Sequence, residues 1–344
     1  MINPKNILIV RTDRIGDVVL TLPLAGIVKK YYTDCKVTFM VRKYTSDIVA
    51  AHPHIDEVIV LSEDDNRVLL GKNVSLLKNR KFDTVIVVHP TFKIALIVLL
   101  SKIKTRIGTG YRWYSFLFNK KVFEHRKNAE KHELEYNVSL LNEIGISEQL
   151  NQNEIDFGIQ VNDESLSLVK SKLMDSWIDV DKPIVIVHPG SGGSAVDLPV
   201  EKMKIIVTKL CENENTNVLI TGDENEHKLC ESISSNTGGV NLAGKFNLLE
   251  MINLISLCKI FISNSTGPLH IAAALQKFVV GFYPKIIACS KERWGPYTTK
   301  SVVFTPEMDC TDCTREQCEK LDCMNSIDIK KVTEELQNQI NIIT

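Results

Sequence analysis

The sequence predicts an α/β protein built from two doubly wound parallel-sheet domains, and three observations carry that reading. Short Val- and Ile-rich runs alternate with segments of helical spacing along the chain. The alternation begins again near the midpoint, and 344 residues are enough for two ordinary cores. In each half the leading apolar run empties into a glycine-bearing loop, RTDRIGD at Arg11–Asp17 and HPGSGGSAVD at His188–Asp197. Ligands of doubly wound sheets gather beyond the carboxyl ends of the strands, so the two loops predict two domains facing a cleft, one ligand on each wall.

Taken in order, Ile7–Val10, Lys36–Val41, Glu57–Val60 and Thr84–Val88 read as buried strands of the first domain. Pro23 cannot donate to a carbonyl one turn back, so residues 16–21 form a short turn of their own ahead of the first long helix. A helix over Glu164–Met174 closes this half, placing the junction near Asp181–Pro183 and the first domain at 1–178. The second domain, 182–324, runs through strands at Pro183–His188, Asn217–Thr221, Ile260–Ser263 and Phe278–Phe282. A last helix over Ile327–Ile342 lies in the tail, 325–344.

Composition narrows the function classes. The net charge of -1 argues against a chain that coats nucleic acid. Its distribution is uneven: residues 1–150 hold 23 Lys+Arg against 16 Asp+Glu, which leaves 18 against 26 for the remainder. Apolar runs such as Ile94–Leu100 fall short of the ~18 residues that cross a bilayer. Arg11 and Asp13 interrupt the start where a signal peptide stays apolar, so a cytoplasmic protein is expected. From Lys102 to Lys131 nine basic residues, Arg112 among them, interleave with Tyr111, Trp113, Tyr114, Phe116 and Phe118. That segment suits an anionic sugar phosphate and a membrane surface. RNA reads such residues too, but no RNA-binding module accompanies them.

The second half carries three candidate binding loops. The glycines and serines of HPGSGG let backbone N–H groups approach a phosphate closely. In Ser263–His270, SNSTGPLH, a strand passes into a strong helix former; Ser265 or Thr266 is placed to cap it and Pro268 suits its first turn. The resulting helix N-terminus is a seat for a diphosphate, and His270 is either a further donor or a core histidine. In Thr221–Glu226, TGDENE, an acidic side chain is either a ribose acceptor or part of a charged turn. In the first half, Asp17 follows a buried strand and a glycine, so it either serves as a partly desolvated general base or caps the turn it begins. Arg11 and Arg14 either hold acceptor phosphates or keep the loop soluble, with Asp13 in support. Cys310-x2-Cys313-x4-Cys318-x4-Cys323 has a spacing that admits four thiolates on one zinc or iron ion, or simply reduced thiols or disulfides.

Together the blocks ILIVRTDRIGDVVLTLP, KHELEYNVSLL, VIVHPGSGG, NVLITGDENE, NLAGKFNLLEMINLISLCKIFISNSTGPLHIAAAL and RWGPY resemble glycosyltransferase family 9, the bacterial heptosyltransferases, over nearly the whole chain. The resemblance implies a GT-B fold and an inverting transfer of heptose from ADP-heptose to the lipid A–core saccharide of lipopolysaccharide. It implies no metal at the reaction centre, and a peripheral position on the inner face of the cytoplasmic membrane. It marks Asp17 as general base. Ser191, Gly192, Thr266, Gly267 and His270 fall at the donor diphosphate, with Ser265 beside them, Glu226 at the ribose, and Lys245 and Phe246 at the adenine. Arg11, Arg14 and Arg112 fall on the acceptor side. The family's tail helix packs back on the first domain, and many members have a cysteine-rich stretch here, metal-binding in the autotransporter branch. Two departures stand out: Val196 replaces a customary Lys or Arg, and Ser265 a customary Asp. They leave room for another nucleotide sugar, a protein acceptor, or a binding protein without turnover.

Overall fold

Ile7, Leu8, Ile9 and Val10 are all buried, as four consecutive residues are only when a strand is covered on both faces. The computed structural model describes residues 3–308 and 313–343. In it the first unit, Met1–Arg126 with Glu130–Gln160, holds β1 (Asn6–Val10), β2 (Lys36–Val41), β3 (Glu57–Val60), β4 (Thr84–Val87), β5 (Thr105–Thr109) and β6 (Lys120–Val122). All pair in parallel, in the order β3-β2-β1-β4-β5-β6. The second unit, Val161–Thr344 with Lys127–Ala129, holds β7 (Ile184–His188), β8 (Asn217–Ile220), β9 (Val240–Asn241), β10 (Cys258–Asn264), β11 (Phe278–Phe282) and β12 (Ser301–Phe304). They repeat the plan as β9-β8-β7-β10-β11-β12, again all parallel. The order reverses between β1 and β4 in one sheet and between β7 and β10 in the other. Those switch points are where ligands bind in such sheets.

The helices that matter for function are α1 (Ile15–Val19), α2 (Pro23–Tyr31), α3 (Phe92–Leu100), α4 (Glu133–Ser139), α5 (Asp163–Asp175), α6 (Val200–Cys211), α7 (Leu248–Leu257), α8 (Gly267–Ala274), α9 (Arg315–Lys320) and α10 (Ile329–Ile343). Pro23 opens α2 and leaves α1 as a separate five-residue helix. Leu20–Leu22 span the break, and the Thr21 hydroxyl donates to the Asp17 carbonyl at 2.7 Å. The α4 helix starts with a capping box: His132 accepts from the first turn while Glu135 reaches back to the His132 N–H at 3.0 Å.

Two boundaries differ from those the sequence suggests. The junction lies at 160/161, not 178/182, because α5 belongs to the second unit. Its buried Val169 and Leu173 face inward there, and Lys172 pairs with Glu250 of α7 at 2.7 Å. The tail helix α10, expected against the first domain, packs within the second unit. Its stripe of Val332, Leu336 and Ile340 shares one core with Ile206, Val207 and Leu210 of α6, in the second unit. At roughly 1.5–3 kcal/mol per buried aliphatic side chain, that stripe is a substantial part of the unit's stability.

Candidate functional site

At the switch point of the first sheet, β1 is followed at once by Arg11, which is 1% exposed. Its guanidinium is divided among carboxylates. Nε donates to Asp13 at 2.7 Å, Nη2 to Asp17, and Nη1 to Glu133 at 3.2 Å. Glu133 and Asn137 stand one turn apart on α4 and so point the same way. Arg126 donates to both, at 2.5 Å to Glu133 and 2.9 Å to the side-chain Oδ1 of Asn137. The Asn137 amide in turn donates to the Leu20 carbonyl at 2.9 Å, fixing α4 to the break after α1. Just beyond β4, Nδ1 of His89 approaches Asp13 at 3.3 Å. Burial holds His89 below its ordinary pKa, so Asp13 faces a neutral ring.

The outcome is a carboxyl poised near neutrality. Burial pushes Asp17 up to about 6; Arg11 pulls it down, while Asp13 and Glu133 push it further up. Arg11 itself stays charged, because the three carboxylates outweigh the cost of its burial. The expectation that Arg11 holds acceptor phosphates does not fit a guanidinium so enclosed. Arg14, flanking α1, and Arg112, in the loop after β5, are exposed.

The second switch point gathers the other expected residues. Asn264, fully buried at the end of β10, donates to the Pro189 carbonyl at 2.5 Å and accepts from the Leu198 N–H at 2.9 Å. It thereby pins both ends of the loop that follows β7. Within that loop Ser191 is buried, and Gly192 and Gly193 adopt left-handed backbone (φ +54° and +73°) with open space where a Cβ would stand. Only glycine offers a ligand so bare a backbone. Glu226 comes in from the loop after β8. A Cβ on Gly190 would lie 1.8 Å from its Oε1, so glycine there is what admits the carboxylate. Asp223 and Glu226 fix each other, each N–H donating to the other's carboxylate at 3.0 Å. Beneath them His188 contacts Thr221 Oγ1 at 3.0 Å, and burial pushes this histidine down to about 4, hence neutral.

The turn carrying Lys245 and Phe246 hangs from the same edge, the Gly244 N–H donating to the Gly222 carbonyl at 3.0 Å. Lys245 is exposed, and the Lys172 ammonium lies 5.6 Å from the centre of the Phe246 ring. Thr266 takes the cap position of α8 in extended backbone, yet neither it nor Ser265 makes the capping bond the sequence suggests. The Ser265 hydroxyl is engaged with Tyr283 instead. The N–H groups of Gly267 and its neighbours thus begin the helix without a side-chain cap, which is the state an anion completes. His270, in the first turn, is buried, its ring 6.5 Å from that of Trp294.

A family model described as glycosyltransferase family 9 (heptosyltransferase) matches residues 71–323, well over half of the chain. The chain belongs to glycosyltransferase family 9. It is 26% identical over 291 residues, 81% of this chain and 79% of the relative, to the lipopolysaccharide core heptosyltransferase OpsX of Haemophilus influenzae. Among solved structures it superposes on a family 9 glycosyltransferase of Veillonella parvula with a TM-score of 0.82 at 17% identity, covering 97% of each chain. For the ADP-heptose lipopolysaccharide heptosyltransferase II of Escherichia coli the TM-score is 0.78 at 22% identity, covering 97% of this chain and 98% of that one. The fold is thus the two-domain GT-B arrangement, and the protein is a glycosyltransferase.

Within this family 9 enzyme, the partly buried Val196 packs against two apolar clusters. The Lys285 ammonium donates to the Met308 carbonyl at 2.7 Å, and the Arg293 guanidinium lies over the Trp294 ring. The Arg315 guanidinium of α9 reaches the loop after β7, donating to the carbonyls of Gly193 at 3.0 Å and Ala195 at 3.2 Å. Sequence reasoning missed Arg315, Glu133, Asn137, Arg126 and Asn264. The only sequence signal for the α4 residues was the block KHELEYN. Cys318 and Cys323 are buried together, with Cys289 and Cys313 packed beside them. Among the described residues no group of three or more His, Cys, Asp or Glu side chains stands where it holds a metal ion, so the metal reading gains nothing from them. Cys310 lies outside the described residues.

Proposed function

We propose that this glycosyltransferase moves heptose from ADP-heptose to the inner core of lipopolysaccharide with inversion, and that Asp17 is its general base. Asp17 takes the proton of an acceptor hydroxyl as that oxygen attacks the anomeric carbon. The bond from that carbon to the diphosphate breaks, and ADP leaves with the electron pair. The observation that supports this most is the Arg11–Asp17–Glu133 network, which holds one carboxylate at a sheet switch point with a pKa of about 6. A base so placed is ionised at neutral pH yet strong enough to accept a proton. Arg11 is a positioning residue in this reading, and Arg14 and Arg112 receive acceptor phosphates.

Ser191, Gly192 and the start of α8 at Ser265, Thr266, Gly267 and His270 receive the diphosphate, whose developing charge the helix end stabilises. Glu226 accepts from the ribose, and Lys245 and Phe246 border the adenine. No cofactor enters the chemistry. The acceptor is lipid-linked, so the enzyme works peripherally on the inner face of the cytoplasmic membrane; no helix among the described residues is long and apolar enough to cross one.

Calorimetry with ADP, UDP and GDP, followed by turnover of ADP-heptose on deacylated core saccharide, tests the reading. ADP should bind at least tenfold more tightly than UDP or GDP, and heptose should be transferred. Tighter binding of UDP would replace the donor, and binding of ADP-heptose with no transfer to any core acceptor would leave a sensor in place of an enzyme.

A further inference from the structure

The loops leaving β4, β5 and β6 carry large aromatic side chains outward. Trp113 is 72% exposed, Phe116 67% and Phe123 63%, with Phe92 and Tyr111 also open to solvent. They do not dangle singly. Phe92 stacks on Trp113 at 4.9 Å between ring centres, and Tyr111 meets Phe123 edge-on at 5.6 Å. Phe123 lies flat against Gly110, where a Cβ would stand 2.3 Å from its ring, and Tyr114 anchors the loop by donating to the Pro90 carbonyl at 2.7 Å. The platform is therefore built, and yet it keeps its rings in water. Exposed Lys93 and Arg112 sit among these aromatics. Of the two carboxylates in the loop after β6, Glu124 is paired with Lys131 at 2.6 Å, and Glu130 is exposed. Arg126, Lys127 and Lys131 follow in the loop after β6, whereas Lys102 and Lys104 precede β5, at the opposite edge of the sheet, and Lys120 pairs with Glu143.

All these loops leave carboxyl ends of adjacent strands, the same sheet edge from which Asp17 rises beyond β1. With strands ~4.8 Å apart, the platform lies within about three strand spacings of that residue's strand. Tryptophan, tyrosine and phenylalanine rimmed by cations are the composition of a surface that rests at the headgroup level of an anionic bilayer. We propose that these three loops form a membrane-docking platform that seats the first domain on anionic lipid, so that a lipid-anchored acceptor is delivered to the edge bearing Asp17. The role in delivery rests on the proposed reading of a lipid-linked acceptor; the binding of lipid does not.

The test is flotation of the full chain with vesicles of phosphatidylethanolamine and phosphatidylglycerol, against vesicles of phosphatidylcholine. The wild type should float with the anionic vesicles. Trp113→Ser/Phe116→Ser/Phe123→Ser should lose at least tenfold in partitioning, with an unchanged melting temperature. As a milder probe, Trp113 fluorescence should be quenched by brominated lipid, and Trp113→Phe should abolish most of that quenching. The triple variant should also turn over deacylated core within twofold of wild type, while losing at least tenfold on vesicle-embedded acceptor.

Undiminished flotation of the triple variant overturns the proposal. So does a wild type that self-associates through this face, with the variant monomeric and still lipid-bound. If the variant loses flotation but neither protein transfers heptose, the platform stands and the acceptor reading falls. If transfer to embedded acceptor is unaffected by the triple substitution, the acceptor reading stands and the platform's role in delivery falls.

Discussion

Glu133 accepts from two guanidinia, Arg11 at 3.2 Å and Arg126 at 2.5 Å, although α4 lies more than a hundred residues from β1 in sequence. By sharing Arg11 with Asp17 it limits how far that cation can pull the Asp17 carboxyl down. Its own negative charge pushes the same way.

Replacing it should therefore be visible in pH dependence. Glu133→Gln keeps the hydrogen-bonding shape but removes the charge, so the Asp17 pKa should fall from about 6, by roughly one pH unit. The acidic limb of the kcat/KM profile should move to lower pH while its plateau drops, because a weaker base accepts the proton less readily. Donor KM should not change. A limb that stays in place would show that Glu133 only braces α4.

The same charge arrangement has a stability consequence of definite sign. The native pKa of Asp17 is raised from 3.8 to about 6, so the folded state holds its proton more tightly than the unfolded chain does. The contribution favours folding below about pH 4 and is lost as pH rises through about 6. Asp17→Asn should then melt higher than wild type at pH 8, with a ceiling of ~3 kcal/mol, and the gain should vanish near pH 4. Melting curves at pH 4, 6 and 8 check it; a variant less stable at pH 8 would mean that the Arg11 bond outweighs burial.

Much of this architecture was legible in the sequence. Buried parallel strands announce themselves as unbroken apolar runs, which is why β1, β2, β3, β4, β7, β8, β10 and β11 were expected close to where they lie. Strands β5 and β12 were not, since Thr105–Thr109 and Ser301–Phe304 are polar or only half-buried. The loops at the switch points could be named because glycine and Pro23 mark them. What local pattern cannot show is which distant side chain fills a site. Glu133 and Asn137 look like the polar face of any helix, and Arg315 sits in a charged stretch beyond the second sheet. The helix α10 has a clear apolar stripe, but a stripe does not name its partner.

On the donor side, Gly190→Ala should act through Glu226. The new methyl would stand 1.8 Å from Oε1 and drive the carboxylate out of its place between Gly190 and Gly222. ADP affinity should fall about tenfold or more, the size of a lost charge-assisted hydrogen-bond pair. Glu226→Gln should give a smaller loss. Calorimetry distinguishes them; unchanged affinity in both would remove Glu226 from the site.

Arg315 clamps the glycine loop by two carbonyls. Arg315→Ala should raise donor KM by roughly tenfold. Arg315→Lys, which cannot span both oxygens, should recover only part of that loss. Acceptor KM should be unaffected. If Arg315→Lys behaves as wild type, a point charge is sufficient and the two-pronged clamp is not the reason.

The central claim is that Asp17 takes the proton of the attacking hydroxyl. Single-turnover transfer from ADP-heptose to deacylated core, in wild type and Asp17→Ala, addresses it most directly. The rate should fall by roughly 100-fold or more with ADP-heptose affinity within twofold of wild type. A variant that still transfers heptose within a few-fold of the wild-type rate would contradict the account.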